Sequence, residues 1–241
     1  MNKQPEVICD PITGICTIPT FEGEANESIE FREDIEIIYV GDPMCSWCWG
    51  ISPALHELEQ QAKQSGIAFR IVVGGLRPGG GDEWNEKFTN FLAHHWEEVN
   101  QRSGQPFNHG LFQLDDFNYD TEPSCRAVVA ARAIDSSKEH PFFELVQHHF
   151  YVQNQDPNRV DFYEPICKKL ELDFGEFKTL FESVEIKKRT QSEFAINRQW
   201  GVRGYPTVLL RKQDQLHLLA RGYSSSKKMW ERLEDVVNVE S

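Results

Sequence analysis

The chain has 241 residues and a formal net charge of −13, with 39% hydrophobic and 12% aromatic residues. This length suits one large domain or a domain with an insertion, and the apolar content suffices for a buried core without disulfide cross-links. The acidic excess disfavours nucleic acid and anionic membranes as partners, because both are bound through clustered lysine and arginine. No stretch reaches the roughly 20 apolar residues of a membrane-spanning helix.

The first 34 residues predict an extended N-terminal arm, because they are polar and carry proline and glycine at short intervals. They contain no continuous apolar segment of the kind found in secretory signals, so we expect a cytoplasmic protein. In a large chain of this kind, thiols are more often catalytic, structural or metal-binding than cross-linked. The six cysteines are Cys9, Cys16, Cys45, Cys48, Cys125 and Cys167.

A strand–helix–strand unit is predicted to follow the arm. The β-branched run of residues 35–40 is bounded by glycine and proline and indicates a buried strand. From Pro53 onward, apolar side chains recur at helical spacing, and Gly66 is placed to end this helix. Residues 67–73 predict a second strand, which should run parallel to the first through a right-handed crossover.

The pattern becomes mainly helical over residues 83–183, and strands return near the C-terminus. Residues 207–210 and 216–219 predict a hairpin, which a final helix follows. The order is therefore βαβ, then helices, then ββα. This order predicts a mixed α/β fold in which residues 35–82 and 184–241 form a thioredoxin fold and the helical block is an insertion.

A Cys-x-x-Cys motif stands where the first strand ends and the first helix starts. The free N–H groups and partial positive charge of a helix N-terminus favour thiolate over thiol, which predicts Cys45 as the attacking nucleophile at an exposed edge. Cys48, one helical turn further in, is predicted to be the resolving thiol that breaks the mixed disulfide. The alternative interpretation is that these two cysteines supply half of the ligands of a zinc site. The chain has no second Cys-x-x-Cys, and its paired histidines are adjacent, so we predict no metal.

The segment Gly204-Tyr205-Pro206-Thr207, just before the hairpin, is a second candidate part of the site. Bonds that precede proline tolerate the cis form better than others, so the Tyr205–Pro206 bond is expected to be cis. Because Pro206 has no N–H, the neighbouring backbone would be free to pair with an extended peptide substrate. The alternative is an ordinary turn proline at the start of a strand, which the upstream Cys-x-x-Cys disfavours.

The stretches DPMCSWCWG and GVRGYPT, together with the helical insertion, resemble the DsbA-like thioredoxin family and most closely its FrnE-like branch. The resemblance implies one DsbA-like domain over residues 35–241, a redox-active Cys45–Cys48 pair and a cis Tyr205–Pro206 bond that faces it. The Ser-Trp spacer departs from the Pro-His spacer of periplasmic DsbA proteins, so no spacer histidine stabilises the thiolate. We therefore expect a milder, more reducing couple.

Four other residues around these motifs carry hypotheses of their own. Cys9 and Cys16 frame a short loop with proline and glycine, so they form either a second redox pair that exchanges with the first or two free thiols on the arm. Trp47 and Trp49 flank the active thiol, where they either form an apolar platform for substrates or serve in packing. The remaining two cysteines are predicted to be core residues.

Together these features predict a cytoplasmic thiol–disulfide oxidoreductase of the protein disulfide reductase or isomerase type. Its partners would be protein or peptide thiols and disulfides. No dissociable cofactor is required, and glutathione or thioredoxin would recycle the redox pair. Two alternatives stay open. One is a glutathione-dependent isomerase or transferase of small molecules, which Cys48 disfavours; the other is a thiol- or metal-binding, chaperone-like module without turnover.

Overall fold

The computed structural model of this chain describes residues 8–9, 16–17 and 35–238. Within those residues, six strands form one sheet, and eight α-helices accompany it. The strands are β1 (Ile8–Cys9), β2 (Cys16–Thr17), β3 (Ile35–Gly41), β4 (Ala68–Val73), β5 (Thr207–Lys212) and β6 (Gln215–Arg221). The helices are α1 (Ser46–Gln64), α2 (Glu86–Ser103), α3 (Glu122–Ile134), α4 (Glu139–Tyr151), α5 (Glu164–Lys169), α6 (Phe174–Glu182), α7 (Val184–Gln199) and α8 (Ser226–Asn238).

The sheet has the strand order β1-β2-β6-β5-β3-β4. β3 and β4 are parallel and are joined through α1, whereas β5 is antiparallel to β3 and β6 is antiparallel to β5. The helices α2 to α6 lie between these two halves in the chain. The predicted thioredoxin fold with a helical insertion is therefore confirmed.

β3 is a central strand whose sequence is nearly all apolar because both of its faces are covered. Ile37 and Tyr39 point into the main core, which α1, α3 and α4 share with the sheet. Ile38 and Val40 point to the other face, where Trp200 covers them. Two-sided burial fixes the register of this strand, since a shift by one residue would exchange the two faces.

Two helix starts in the insertion follow from local sequence signals. α3 begins at Glu122 with Pro123 in its first turn. Asp173 caps α6, and its carboxylate accepts a hydrogen bond of 2.7 Å from the Glu176 N–H. None of the helices that the structure describes combines the length and the apolar character needed to cross a membrane.

α1 begins earlier than its apolar spacing indicates. It starts at Ser46, so Pro53 lies inside the helix and does not open it. Proline cannot donate to the carbonyl four residues before it, here that of Trp49. The Ser52 hydroxyl, at 2.9 Å, and the Gln105 amide, at 3.1 Å, donate to that carbonyl instead. The helix therefore continues through the proline.

The first 34 residues do not form only an extended arm. β1 and β2 pair with each other, and β2 extends the sheet beyond β6. Pairing with an open sheet edge satisfies backbone groups that a free arm would leave to water. The rest of the predicted arm lies outside the described residues.

An ion pair between a buried histidine and a partly exposed glutamate joins α4 to α1. His140 is 4% exposed, and its Nδ1 lies 2.6 Å from the Glu59 carboxylate. Burial opposes the positive charge of His140, but the hydrogen bond and negative charge of Glu59, with Glu144 nearby, raise its pKa. A raised histidine pKa stabilises the fold below about pH 6.5, its unfolded value, and this contribution is lost as pH rises through the folded pKa.

We expect His140→Gln to destabilise the protein more at pH 6 than at pH 8, because the imidazole that Glu59 binds carries more positive charge at the lower pH. Melting temperatures of both proteins at the two pH values measure this difference. His94→Gln is the matched control, since that exposed imidazole contacts Glu98 across one turn of α2. An equal loss for His140→Gln at both pH values would contradict the assignment.

Candidate active site

The sheet register brings the two predicted motifs together. Val40, near the end of β3, lies opposite Thr207, the first residue of β5. The Cys-x-x-Cys motif that follows β3 and the Tyr205–Pro206 segment that precedes β5 therefore meet at the same end of the sheet. The Tyr205–Pro206 peptide bond is cis. The Cys45 thiol donates to the Tyr205 carbonyl, with 3.7 Å between sulfur and oxygen.

Cys45 is the N-cap residue of α1 and has extended backbone angles. Its side chain makes no capping hydrogen bond to the first helical turn, so its sulfur is turned toward the Tyr205 carbonyl instead. The residue is only 6% exposed, so the expected exposed edge is wrong. The Tyr205 carbonyl is one of the groups that cover its thiol.

Cys48 is completely buried behind Cys45. The Asp42 N–H donates to its sulfur at 3.5 Å. Burial raises the pKa of the Cys48 thiol well above its usual value, and the neighbouring Cys45 raises it further. Cys48 is thus held as a neutral thiol beside Cys45, which is the state expected of a resolving cysteine before attack.

Asp42 is a buried carboxylate that the sequence analysis did not identify as a functional residue. One oxygen accepts from the Met44 N–H at 2.9 Å, and the other accepts from the Leu76 N–H at 2.6 Å and the Cys125 thiol at 3.4 Å. Burial raises its pKa, against the effect of these donors. Cys125 and Cys167 are both fully buried, which confirms their predicted place in the core.

Tyr205 is held in place from the side opposite Cys45. Its hydroxyl donates to the Gly74 carbonyl at 2.6 Å, and the Asn197 amide donates to the same oxygen at 3.2 Å. A Cβ atom at Gly74 would lie 2.6 Å from the Tyr205 ring, so only glycine permits this approach. The cis segment is thereby fixed to the loop after β4.

The two tryptophans of the motif have different surroundings. Trp49 is 7% exposed, its ring stacks on Tyr151 with 6.1 Å between centroids, and its Nε1 donates to the Pro106 carbonyl at 3.0 Å. Its predicted role in substrate binding is not supported, because the insertion encloses it. Trp47 is half-buried and contacts the ring of Tyr223, with 6.3 Å between centroids. Only Trp47 remains available to a substrate.

The backbone register places Cys9 and Cys16 opposite each other in the β1–β2 pair. Cys16 also lies opposite Leu216 at the start of β6, whereas the Arg221 end of β6 lies beside the cis segment. Five residues of strand separate these ends, about 17 Å. Their side chains lie outside the described part of the chain, so the second redox pair stays a prediction. Its direct exchange with the active-site pair is not favoured by this placement.

Comparisons with known proteins agree with this architecture. A protein-family model described as Thioredoxin (Thioredoxin_5) matches residues 38–229. The structure of a candidate protein disulfide isomerase from Nitrosomonas europaea is 30% identical, with a TM-score of 0.80 over 87% of this chain and 100% of that one. The structure of the cytosolic disulfide reductase DsbM from Pseudomonas aeruginosa is 22% identical, with a TM-score of 0.72 over 85% and 99% of the two chains.

A relative with a different described role is also similar. The ClpXP adapter protein SpxH from Shouchella clausii is 27% identical over 217 residues, which are 87% of this chain and 68% of that protein.

Asp42→Ala should lower the free energy of unfolding by about 2–5 kcal/mol, because it leaves the buried Met44 N–H and the partly buried Leu76 N–H without their acceptor. Asp42→Asn keeps one acceptor oxygen, so the free energy of unfolding should fall by about half as much. Urea unfolding at neutral pH with a reductant present measures both losses. Asp161→Ala, which removes a fully exposed partner of Arg159, should leave stability unchanged. An Asp42→Ala protein as stable as this control would contradict the role given to Asp42.

Proposed function

This chain belongs to the thioredoxin family, among its DsbA-like thiol–disulfide oxidoreductases, and from that premise we propose that it reduces or isomerises protein and peptide disulfides with the Cys45–Cys48 pair. The observation that carries the proposal is the position of the Cys45 sulfur. It faces the Tyr205 carbonyl next to Pro206, and Cys48 lies directly behind it. An extended peptide that pairs with the Tyr205 backbone would present its own sulfur to Cys45.

The first step is attack by the Cys45 thiolate on one sulfur of a substrate disulfide. A bond forms between Cys45 and that sulfur, the substrate S–S bond breaks, and the other substrate sulfur leaves as a thiolate. The N-terminal turn of α1 stabilises the attacking charge. The Tyr205 carbonyl, which accepts from the Cys45 thiol in the free protein, is then available to the N–H of a bound peptide.

The second step is attack by Cys48 on the Cys45 sulfur. Cys48 loses its proton to the departing thiolate, the Cys45–Cys48 bond forms, and the second substrate sulfur is released. The substrate gains two electrons and the pair loses two. Resolution follows mixed-disulfide formation, because only then does Cys45 carry the disulfide bond that Cys48 attacks.

Return to the dithiol form requires an external thiol. Two molecules of glutathione, or one dithiol protein such as thioredoxin, would supply the two electrons by the same exchange chemistry. Such recycling fits a reducing compartment, and we accordingly place the protein in the cytoplasm. With reduced glutathione in excess the net reaction is disulfide reduction, and release of the substrate before resolution gives isomerisation.

The two alternatives, a glutathione-dependent transferase and a metal- or thiol-binding module, are less well supported by the same residues. A glutathione-dependent transferase needs only one active-site thiol. In that reaction the buried Cys48 would have no chemical role. Among the residues that the structure describes, no three histidine, cysteine, aspartate or glutamate side chains are grouped as a metal site. The packed Cys45, Cys48 and Tyr205 cluster instead has the parts that disulfide exchange uses.

Cys48→Ala should abolish multiple turnover and accumulate a mixed disulfide between Cys45 and the substrate, because attack remains possible and resolution does not. Glutathione-dependent reduction of a labelled peptide disulfide measures turnover, and intact-protein mass spectrometry measures the adduct. Cys45→Ala should show neither turnover nor adduct. Cys167→Ala, which removes a buried thiol away from the pair, is the control and should keep both steps. Full turnover by Cys48→Ala would contradict the dithiol mechanism.

A further inference from the structure

A cationic cavity of about 270 Å³ opens between β6, α2 and α8. We call it the basic pocket and define it by four cations and one aromatic side chain: Arg102, Arg221, Lys228, Arg232 and Tyr223. The chain as a whole carries a formal charge of −13, whereas four cations surround this one small cavity. The local charge is therefore opposite in sign to the net charge of the chain. Such a concentration of positive charge creates a local attractive field for anions.

The four cations of the basic pocket have no carboxylate partner among the described residues. Arg102 lies over the Tyr223 ring, 5.7 Å from its centroid, and Arg232 donates to the Leu219 carbonyl at 2.6 Å. By contrast, Lys227 on the same α8 helix is paired with Glu231. The charge of the basic pocket is therefore available to a ligand.

The basic pocket lies next to both parts of the proposed active site, the Cys-x-x-Cys motif and the cis Tyr205–Pro206 segment. The Tyr223 ring contacts Trp47, which lies between the two active-site cysteines in sequence. The N–H of Gly222, the residue before Tyr223, donates to the Pro206 carbonyl at 2.8 Å. Arg221 lies opposite Thr207 in the β5–β6 ladder. A peptide bound along the cis segment with its cysteine at Cys45 would thus pass the mouth of the pocket.

We propose that the basic pocket binds the carboxylate side chains of an acidic segment next to the reactive cysteine of a polypeptide substrate. The inference rests on the proposed function, which it narrows to one class of substrate. Arginine side chains donate in a planar fork that matches a carboxylate. Among the described residues that line the pocket, none is aspartate or glutamate, so the amino group of a small zwitterionic thiol would find no carboxylate there.

The test uses two peptides that share one internal disulfide and differ only in the three residues next to a cysteine, which are glutamate in one and glutamine in the other. We expect the wild-type protein to reduce the glutamate peptide about tenfold faster, measured as kcat/KM divided by the rate with dithiothreitol. Arg102→Gln combined with Lys228→Gln should remove most of that preference. The preference should also fade at high salt, because the cations are exposed.

The matched control combines Lys227→Gln with Arg189→Gln, which removes the same charge from pairs outside the pocket. It should keep the preference for glutamate. Equal rates for the two peptides in the wild-type protein, or a preference that survives in the Arg102→Gln, Lys228→Gln protein, would overturn the inference while leaving the proposed function intact. A change confined to the KM for glutathione would assign the pocket to a small thiol and overturn it as well.

Binding separates the inference from the proposed function. Labelled peptides with serine in place of cysteine cannot exchange, and fluorescence anisotropy reports whether they bind. Tighter binding of the glutamate form by wild type, lost in the Arg102→Gln, Lys228→Gln protein, supports the basic pocket even if neither disulfide peptide is turned over. Turnover without any difference in binding or rate would support the enzyme and reject the pocket.

Discussion

Asp42 places a pair of acceptor oxygens where three segments of the chain meet, and the geometry of the site depends on it. Its carboxylate holds the loop before α1 through Met44, the loop after β4 through Leu76, and α3 through Cys125. Its own N–H contacts the Cys48 sulfur. Burial of a carboxylate costs free energy unless its oxygens accept hydrogen bonds. The three segments that supply the donors are therefore held together, and the shape of the site depends on them.

This anchoring explains how two cysteines of one short motif acquire different chemistry. Cys45 caps α1, where the helix supplies free N–H groups, and it faces the Tyr205 carbonyl across the substrate's path. Cys48 is enclosed by the core, where burial raises the pKa of its thiol. The proposed order, attack by Cys45 and resolution by Cys48, is consistent with the position of Cys45 at the helix N-terminus and the enclosure of Cys48.

Features with a local cause were predictable from the sequence, and those that depend on distant residues were not. The hairpin, the cap at Asp173 and the strand–helix junction at Cys45 each follow from neighbours a few positions away. The role of Asp42 depends on Leu76 and Cys125, which are 34 and 83 positions away. In sequence, an aspartate followed by proline resembles an ordinary turn. The passage of α1 through its proline likewise depends on Gln105, which lies beyond the end of α2.

The two proposals place substrate recognition at two separate parts of the site. Contacts with the Tyr205 backbone accept any extended peptide, because every residue offers the same N–H and C=O groups. The basic pocket lies to one side and can distinguish side chains only by charge. The acidic surface of the rest of the chain repels acidic partners at long range, so this discrimination acts over short distances, within about 8–10 Å at physiological salt. General exchange chemistry and selective recognition can therefore coexist at one end of a single sheet.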